Sequence, residues 1–238
     1  MRTFANTLVV SLLAAFTASP AGAQSTPDAT GHWEGTITAP MGQIDFEIDV
    51  VREASGTLAA TYAQKATSVR GLPLTQVTLE GRTLTFVLFN GGPGGGSFKG
   101  DLLGDGKTIS GEVKATMGSA PFMLYRTGDA ALMPKVTNAA VSKSLEGRWA
   151  GSLDAGGNQI GLVLTVANRP DGTATVLIAQ DIRPDVRIDA AITEKGPAVS
   201  FEVPATSATW TGTLDGDSLK GTWTQPGGSL PLTFTRAR

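Results

Sequence analysis

The strongest constraint on this chain is that its second half restates its first. Gly31, Trp33, Gly35 and Ile37 of GHWEGTI recur 116 positions later as Gly147, Trp149, Gly151 and Leu153 of GRWAGSL. The same offset carries Gln43-Ile44 onto Gln159-Ile160, Gly56-Thr57 onto Gly172-Thr173 and Ala63-Gln64 onto Ala179-Gln180. Loop differences then shorten it: Leu102 matches Leu214, Gly111 matches Gly221, and Arg126 matches Arg236. The chain is therefore a duplication of one unit, 31–126 and 147–236. Whatever fold it takes must close within about ninety residues.

Inside each unit the period is two. Ile44, Phe46, Ile48 and Val50 alternate with Asp45, Glu47 and Asp49, and Ile160, Leu162, Leu164 and Val166 fill the same slots of the second unit. Such alternation describes a strand with one dry and one wet face. It recurs at 57–64, 77–88, 98–102, 109–113 and 122–126. Asp105-Gly106, Asp171-Gly172 and Asp215-Gly216 punctuate these runs and read as hairpin turns. The expectation is an all-β fold of two tandem antiparallel up-and-down barrels, each of about eight short strands.

The segments outside the units carry other signals. Arg2, the apolar run 8–16 and Ala21-Gly22-Ala23 form a secretory leader pattern, with cleavage expected after Ala23 and a periplasmic or secreted product. The apolar run is too short to span a bilayer. Residues 24–30 form a short N-terminal segment, and 127–146, small and polar with Pro134 inside, read as a linker in which a helix would be marginal. A net charge of −2 with no basic cluster argues against nucleic acid. The lack of cysteine excludes a disulfide framework, so stability must come from apolar burial.

A Gly two residues before a Trp on the first strand of a small barrel resembles the calycin pattern of lipocalins and avidins. In that pattern the Trp closes one barrel end beneath a basic residue of the last strand. Here Gly31 and Trp33 pair in this way with Arg126, and Gly147 and Trp149 with Arg236. A guanidinium over an indole gains roughly 0.5–2 kcal/mol. The run LDGDSLKGTWTQPGGSLPLTFTR, with GRWAGSL, more closely resembles the GxWxG β-domain that precedes the α/β-hydrolase domain of secreted bacterial serine hydrolases. The resemblance covers 147–236 closely. It covers 31–126 more loosely, through GHWEGTI, GTLAATYAQ and GLPLTQVTL, with GEVKATM where the second unit has GTWTQ. It implies an accessory, calycin-like domain; no hydrolase domain accompanies it, so the family's catalysis does not carry over.

The residues themselves supply little chemistry. The single histidine, His32, falls on the face opposite Trp33 and reads as solvent-facing. No G-x-S-x-G elbow occurs. One histidine and no cysteine make a poor zinc set. Asp45, Glu47 and Asp49 share a wet strand face rather than a loop that wraps an ion, and Gly161, Val163 and Thr165 replace them in the second unit. Gly104–Thr108 misses the Walker pattern by register, and the glycine-rich 90–97 stretch reads as a hairpin end. No catalytic, cofactor-binding or metal residues are assigned, and no cofactor is expected.

Two functions are then in view. One is a non-catalytic exported interaction or accessory module, whose partner is a protein or polymer. The alternative is a carrier of a small apolar, lipid-like ligand, in a lumen lined by Phe46, Ile48, Tyr62, Phe86, Trp210 and Phe234. A remnant or partner of a secreted serine hydrolase comes third. A packed and a hollow lumen give the same alternation, so sequence alone leaves this choice open.

Overall fold

The computed structural model describes residues 27–40, 42–89 and 95–237. The leader, with its cleavage point, and residues 90–94 of the glycine-rich stretch lie outside the described residues. The described chain is almost entirely strand, and its one helical element is a single 3-10 turn, Pro204–Thr206.

The first unit is a nine-stranded antiparallel meander, one strand more than the approximate eight expected. Its strands are β1 (Gly31–Ala39), β2 (Gly42–Arg52), β3 (Leu58–Gln64), β4 (Val69–Pro73), β5 (Thr75–Glu80), β6 (Thr83–Leu88), β7 (Gly96–Leu102), β8 (Thr108–Ala115) and β9 (Gly118–Gly128). They run in the order β4-β3-β2-β1-β9-β8-β7-β6-β5, so the first and last strands pair in the middle and the seam falls between β4 and β5. The extra strand arises because the chain folds back after Gln64, shifts register against β3, and turns again at Pro73 before β5. A single 77–88 strand was expected; the turn at Gly81 divides it into β5 and β6.

The second unit repeats this plan with β11 (Gly147–Ala155), β12 (Asn158–Asn168), β13 (Thr173–Gln180), β14 (Arg183–Asp189), β15 (Ala191–Lys195), β16 (Ala198–Val203), β17 (Ala208–Asp215), β18 (Ser218–Gln225) and β19 (Gly228–Arg236). The register is conserved between repeats: Trp33 faces Ile48 as Trp149 faces Leu164, and Arg126 faces Trp33 as Arg236 faces Trp149. The linker is more structured than its composition implies. Its Asn138–Ala139 form β10, which pairs with β13, and Asn138 and Leu145 are buried. Asn138 Nδ2 donates to the Ala190 carbonyl and its Oδ1 accepts from the Ile192 amide, satisfying a buried polar side chain from both ends.

Asp105-Gly106 does not form the two-residue hairpin expected of it. The β7–β8 turn is longer, and Asp105 Oδ1 accepts from the amides of Lys107 and Thr108, as short carboxylates do in turns. Asp215-Gly216 does open a two-residue turn, closed by the Asp215–Ser218 pair.

Among the described residues, aromatic side chains pack across the interior of both barrels. In the first, Phe98 stacks on Phe86 at 4.6 Å and meets Phe122 at 5.4 Å and Phe46 at 5.7 Å, with Tyr62 beside Phe46 at 5.9 Å. In the second, Trp210 stacks on Phe201 at 5.4 Å and packs edge-on to Phe234 at 6.0 Å. Such aromatic pairs interlock a core beyond the effect of area burial alone.

The two barrels also touch. The buried Ala205 of the 3-10 turn joins the first barrel's core, and Ile188 of β14 packs against both cores. The Arg183 guanidinium lies 4.5 Å from the Phe89 ring centroid. Phe89 and Pro204 hold corresponding places, just beyond β6 and β16, so the same face of each repeat meets the other. Phe89, the last described residue before the glycine-rich stretch, therefore lies at the barrel–barrel contact.

Candidate functional site

The signature residues form a lock at one end of each barrel. Trp33 is fully buried and its Nε1 donates to the Ala29 carbonyl at 2.9 Å; Trp149 does the same to Leu145 at 2.9 Å. Arg126 lies 4.6 Å from the Trp33 ring centroid and donates to the carbonyls of Thr30 and Asp28. Arg236 lies 4.2 Å from Trp149 and donates to the carbonyls of Glu146 and Ser144. The glycines of the motif follow from this packing. Gly31 and Gly147 have φ of +140° and +126°, and a Cβ on either would meet the arginine. Gly35 and Gly151 let β1 and β11 press against the carbonyls of Met123 and Thr233. The G-x-W-x-G opening is thus a barrel-closure device, placed identically in both repeats.

The proposed lumen residues Phe46, Ile48, Tyr62, Phe86, Trp210 and Phe234 are all buried, four in the first barrel and two in the second. They pack on one another and on neighbouring rings. Burial pushes the Tyr62 phenol up to about 12.

Polar chemistry gathers instead on the outer face of the first barrel. The β1–β2 register sets His32 opposite Asp49 and Glu34 opposite Glu47. His32 lies on this outer face, away from the buried Trp33, and is partnered there: its Nδ1 is 2.9 Å from Asp49 Oδ1, and its side chain is 24% exposed. Asp49 Oδ1 also accepts from the Ala131 amide at 2.9 Å, which ties the linker down across β2. Glu34 and Glu47, like charges on facing strands, are bridged by Lys65 from the turn after β3, at 3.6 and 2.6 Å. These two carboxylates raise the Lys65 ammonium above the usual lysine range, chiefly through its hydrogen bond to Glu47. The Asp45, Glu47, Asp49 face is therefore partnered at two of its three positions rather than simply solvated.

Two open grooves flank this cluster. One, of about 370 Å³, runs over Gly35 between Glu34, Asp45, Glu47, Lys65 and the exposed Tyr125. The other, of about 300 Å³, lies over β2–β4 beneath Ala131 and Met133 of the linker. At corresponding positions the second repeat carries Arg148, Ala150, Val163, Thr165 and Asp181, so the cluster belongs to the first repeat alone.

Sequence reasoning considered His32, Glu47 and Asp49 but assigned them no site, and it passed over Glu34 and Lys65. The β11–β12 turn at Gly156-Gly157 fixes the register of the second repeat, and the 116-residue offset transfers it to β1–β2. That route places Glu34 beside Glu47. Lys65 had no such signal, because its reach depends on a turn. Among the described residues, no serine or threonine hydroxyl is hydrogen-bonded to His32, so its pairing with Asp49 does not extend to a nucleophile.

Among the described residues, no helix is long and apolar enough to cross a membrane. No family model and no curated protein matches the chain. Among solved structures it is similar to a proposed outer membrane protein from Bacteroides fragilis NCTC 9343, at 14% identity and a TM-score of 0.26, over 87% of this chain and 97% of that one. It is also similar to a DUF3598-family protein of unknown function from Nostoc punctiforme PCC 73102, at 14% identity and a TM-score of 0.25, over 88% of this chain and 96% of that one.

Proposed function

We propose that this chain is a non-catalytic exported binding module that meets a protein or polymer partner on the outer face of its first barrel. The observation that carries the reading is the packing of both lumens by their own aromatic side chains, which leaves the open grooves on the outside. A lipid-like carrier needs a lumen of several hundred Å³ opening at a barrel mouth. The accessory role follows the resemblance of both repeats to a domain that accompanies secreted hydrolases, and export follows the leader pattern of residues 1–23.

The test is native mass spectrometry of residues 24–238 purified without denaturation from the native host, followed by partner capture. The expected result is a bare protein mass, and a captured partner that is lost with Tyr125→Ala while the fold is retained. A co-purifying small apolar mass released on denaturation would replace this reading with the carrier. Capture indifferent to Tyr125 would move the surface elsewhere.

A further inference from the structure

The geometry points to a divalent-cation site of zinc type on the first barrel, formed by His32, Glu34 and Glu47, with Asp49 holding the imidazole in place through its Nδ1. One ligand atom from each of the three ligands lies within 4.8 Å of the others. His32 Nε2 and Glu34 Oε1 are 3.6 Å apart, close to the separation of two ligands on one tetrahedral ion with bonds of about 2.0–2.2 Å. This inference stands independently of the binding-module reading.

Two observations outside the ligand set support it. The first concerns the imidazole. A ligating histidine almost always gives its second ring nitrogen to a carboxylate or carbonyl, which fixes its tautomer and aim. Asp49 takes Nδ1 in this way, and is itself held by the Ala131 amide of the linker. The ring is thereby set with Nε2 toward Glu34. The second is that a cation already sits between the same carboxylates. Lys65 Nζ bridges Glu34 and Glu47. Its stem leaves an exposed turn, and its side chain is 71% exposed, so it can swing out to solvent. A metal ion would replace this ammonium.

Three protein ligands leave a fourth position for water or for a donor atom of a partner. That position would open onto the groove beside Tyr125. Nitrogen and carboxylate oxygen donors without a thiolate suit zinc and neighbouring divalent ions rather than soft monovalent metals. The second repeat offers no counterpart, since Arg148 and Ala150 stand where His32 and Glu34 do.

Because the chain has one histidine and no cysteine, the test reads a single imidazole. Zn²⁺ is titrated into tag-free protein while the ¹⁵N resonances of His32 are followed, with Co²⁺ absorption as a second probe. The expected result is a saturable shift of Nε2 and a tetrahedral Co²⁺ spectrum. Both should be lost in Glu34→Gln with Glu47→Gln, and weakened by about 10- to 100-fold in Asp49→Asn. Lys65→Ala should bind more tightly than the parent chain, because its competitor is gone. Circular dichroism of each variant separates lost ligation from lost folding. The proposal is overturned if His32 Nε2 stays unmoved at millimolar Zn²⁺ in both the parent and Lys65→Ala. It is equally overturned if the shift survives loss of both glutamates.

Discussion

Arg236 holds its guanidinium 4.2 Å from the centroid of Trp149, and both side chains reach back to carbonyls of the segment entering β11. One contact thus joins the first strand, the last strand and the entry segment. Arg126 and Trp33 do the same in the first barrel at 4.6 Å. Replacing either arginine with alanine removes a cation–π contact and the donor to two carbonyls of the entry segment, one part-buried and one exposed. The expected loss is about 2–4 kcal/mol. Urea unfolding followed by tryptophan fluorescence measures it, and lysine at the same position should recover only part.

The two locks differ in one partner. Arg236 Nε donates to Asp217 Oδ1 at 2.7 Å, whereas Arg126 Nε is buried without an acceptor. The residue in the place of Asp217 is Lys107, since both carbonyls accept the amide of their repeat's arginine. Lys107→Asp should therefore stabilise the first barrel. Asp217 is 78% exposed, so the gain is expected at about 0.5–1 kcal/mol. A melting temperature unchanged or lowered would show that the aspartate does not reach Nε.

Phe98 packs against the rings of Phe46, Phe86 and Phe122 in the first lumen. Phe98→Ala should cost about 3–5 kcal/mol through lost transfer energy and the void it leaves. Because the void is apolar, benzene or xenon should bind the variant and not the parent, which calorimetry can read.

Tyr62 supplies a pH dependence at the alkaline end. Its folded-state phenol is raised to about 12 by burial, above the ordinary value of 10.0. The stability that comes from keeping it neutral is fully present below the unfolded value. It is lost as pH rises from about 10 through 12. In Tyr125→Phe, absorbance near 295 nm (on the order of the phenolate band) should report one late titration, and Tyr62→Phe should flatten the fall in stability across that window.

Much of this molecule was legible as sequence. The repeat and the two-residue period are local or translational patterns, and they carried the all-β class and the two barrels; the end locks were implied by the resemblance of the Gly-Trp-Arg set to the calycin pattern. What escaped was set by geometry at a distance. The ninth strand depends on a register shift after Gln64, and β10 depends on where the linker crosses β13. Alternation assigns a residue to a face but does not say what it meets there. Whether Phe46 and Trp210 lined a cavity or filled it was decided by ring packing across the barrel. Likewise, His32, Glu34, Glu47, Asp49 and Lys65 are ordinary wet-face residues until strand pairing and one turn bring them together. The period of a strand is fixed by its own backbone, whereas its neighbours are fixed by register and closure, and only the tertiary structure settles those.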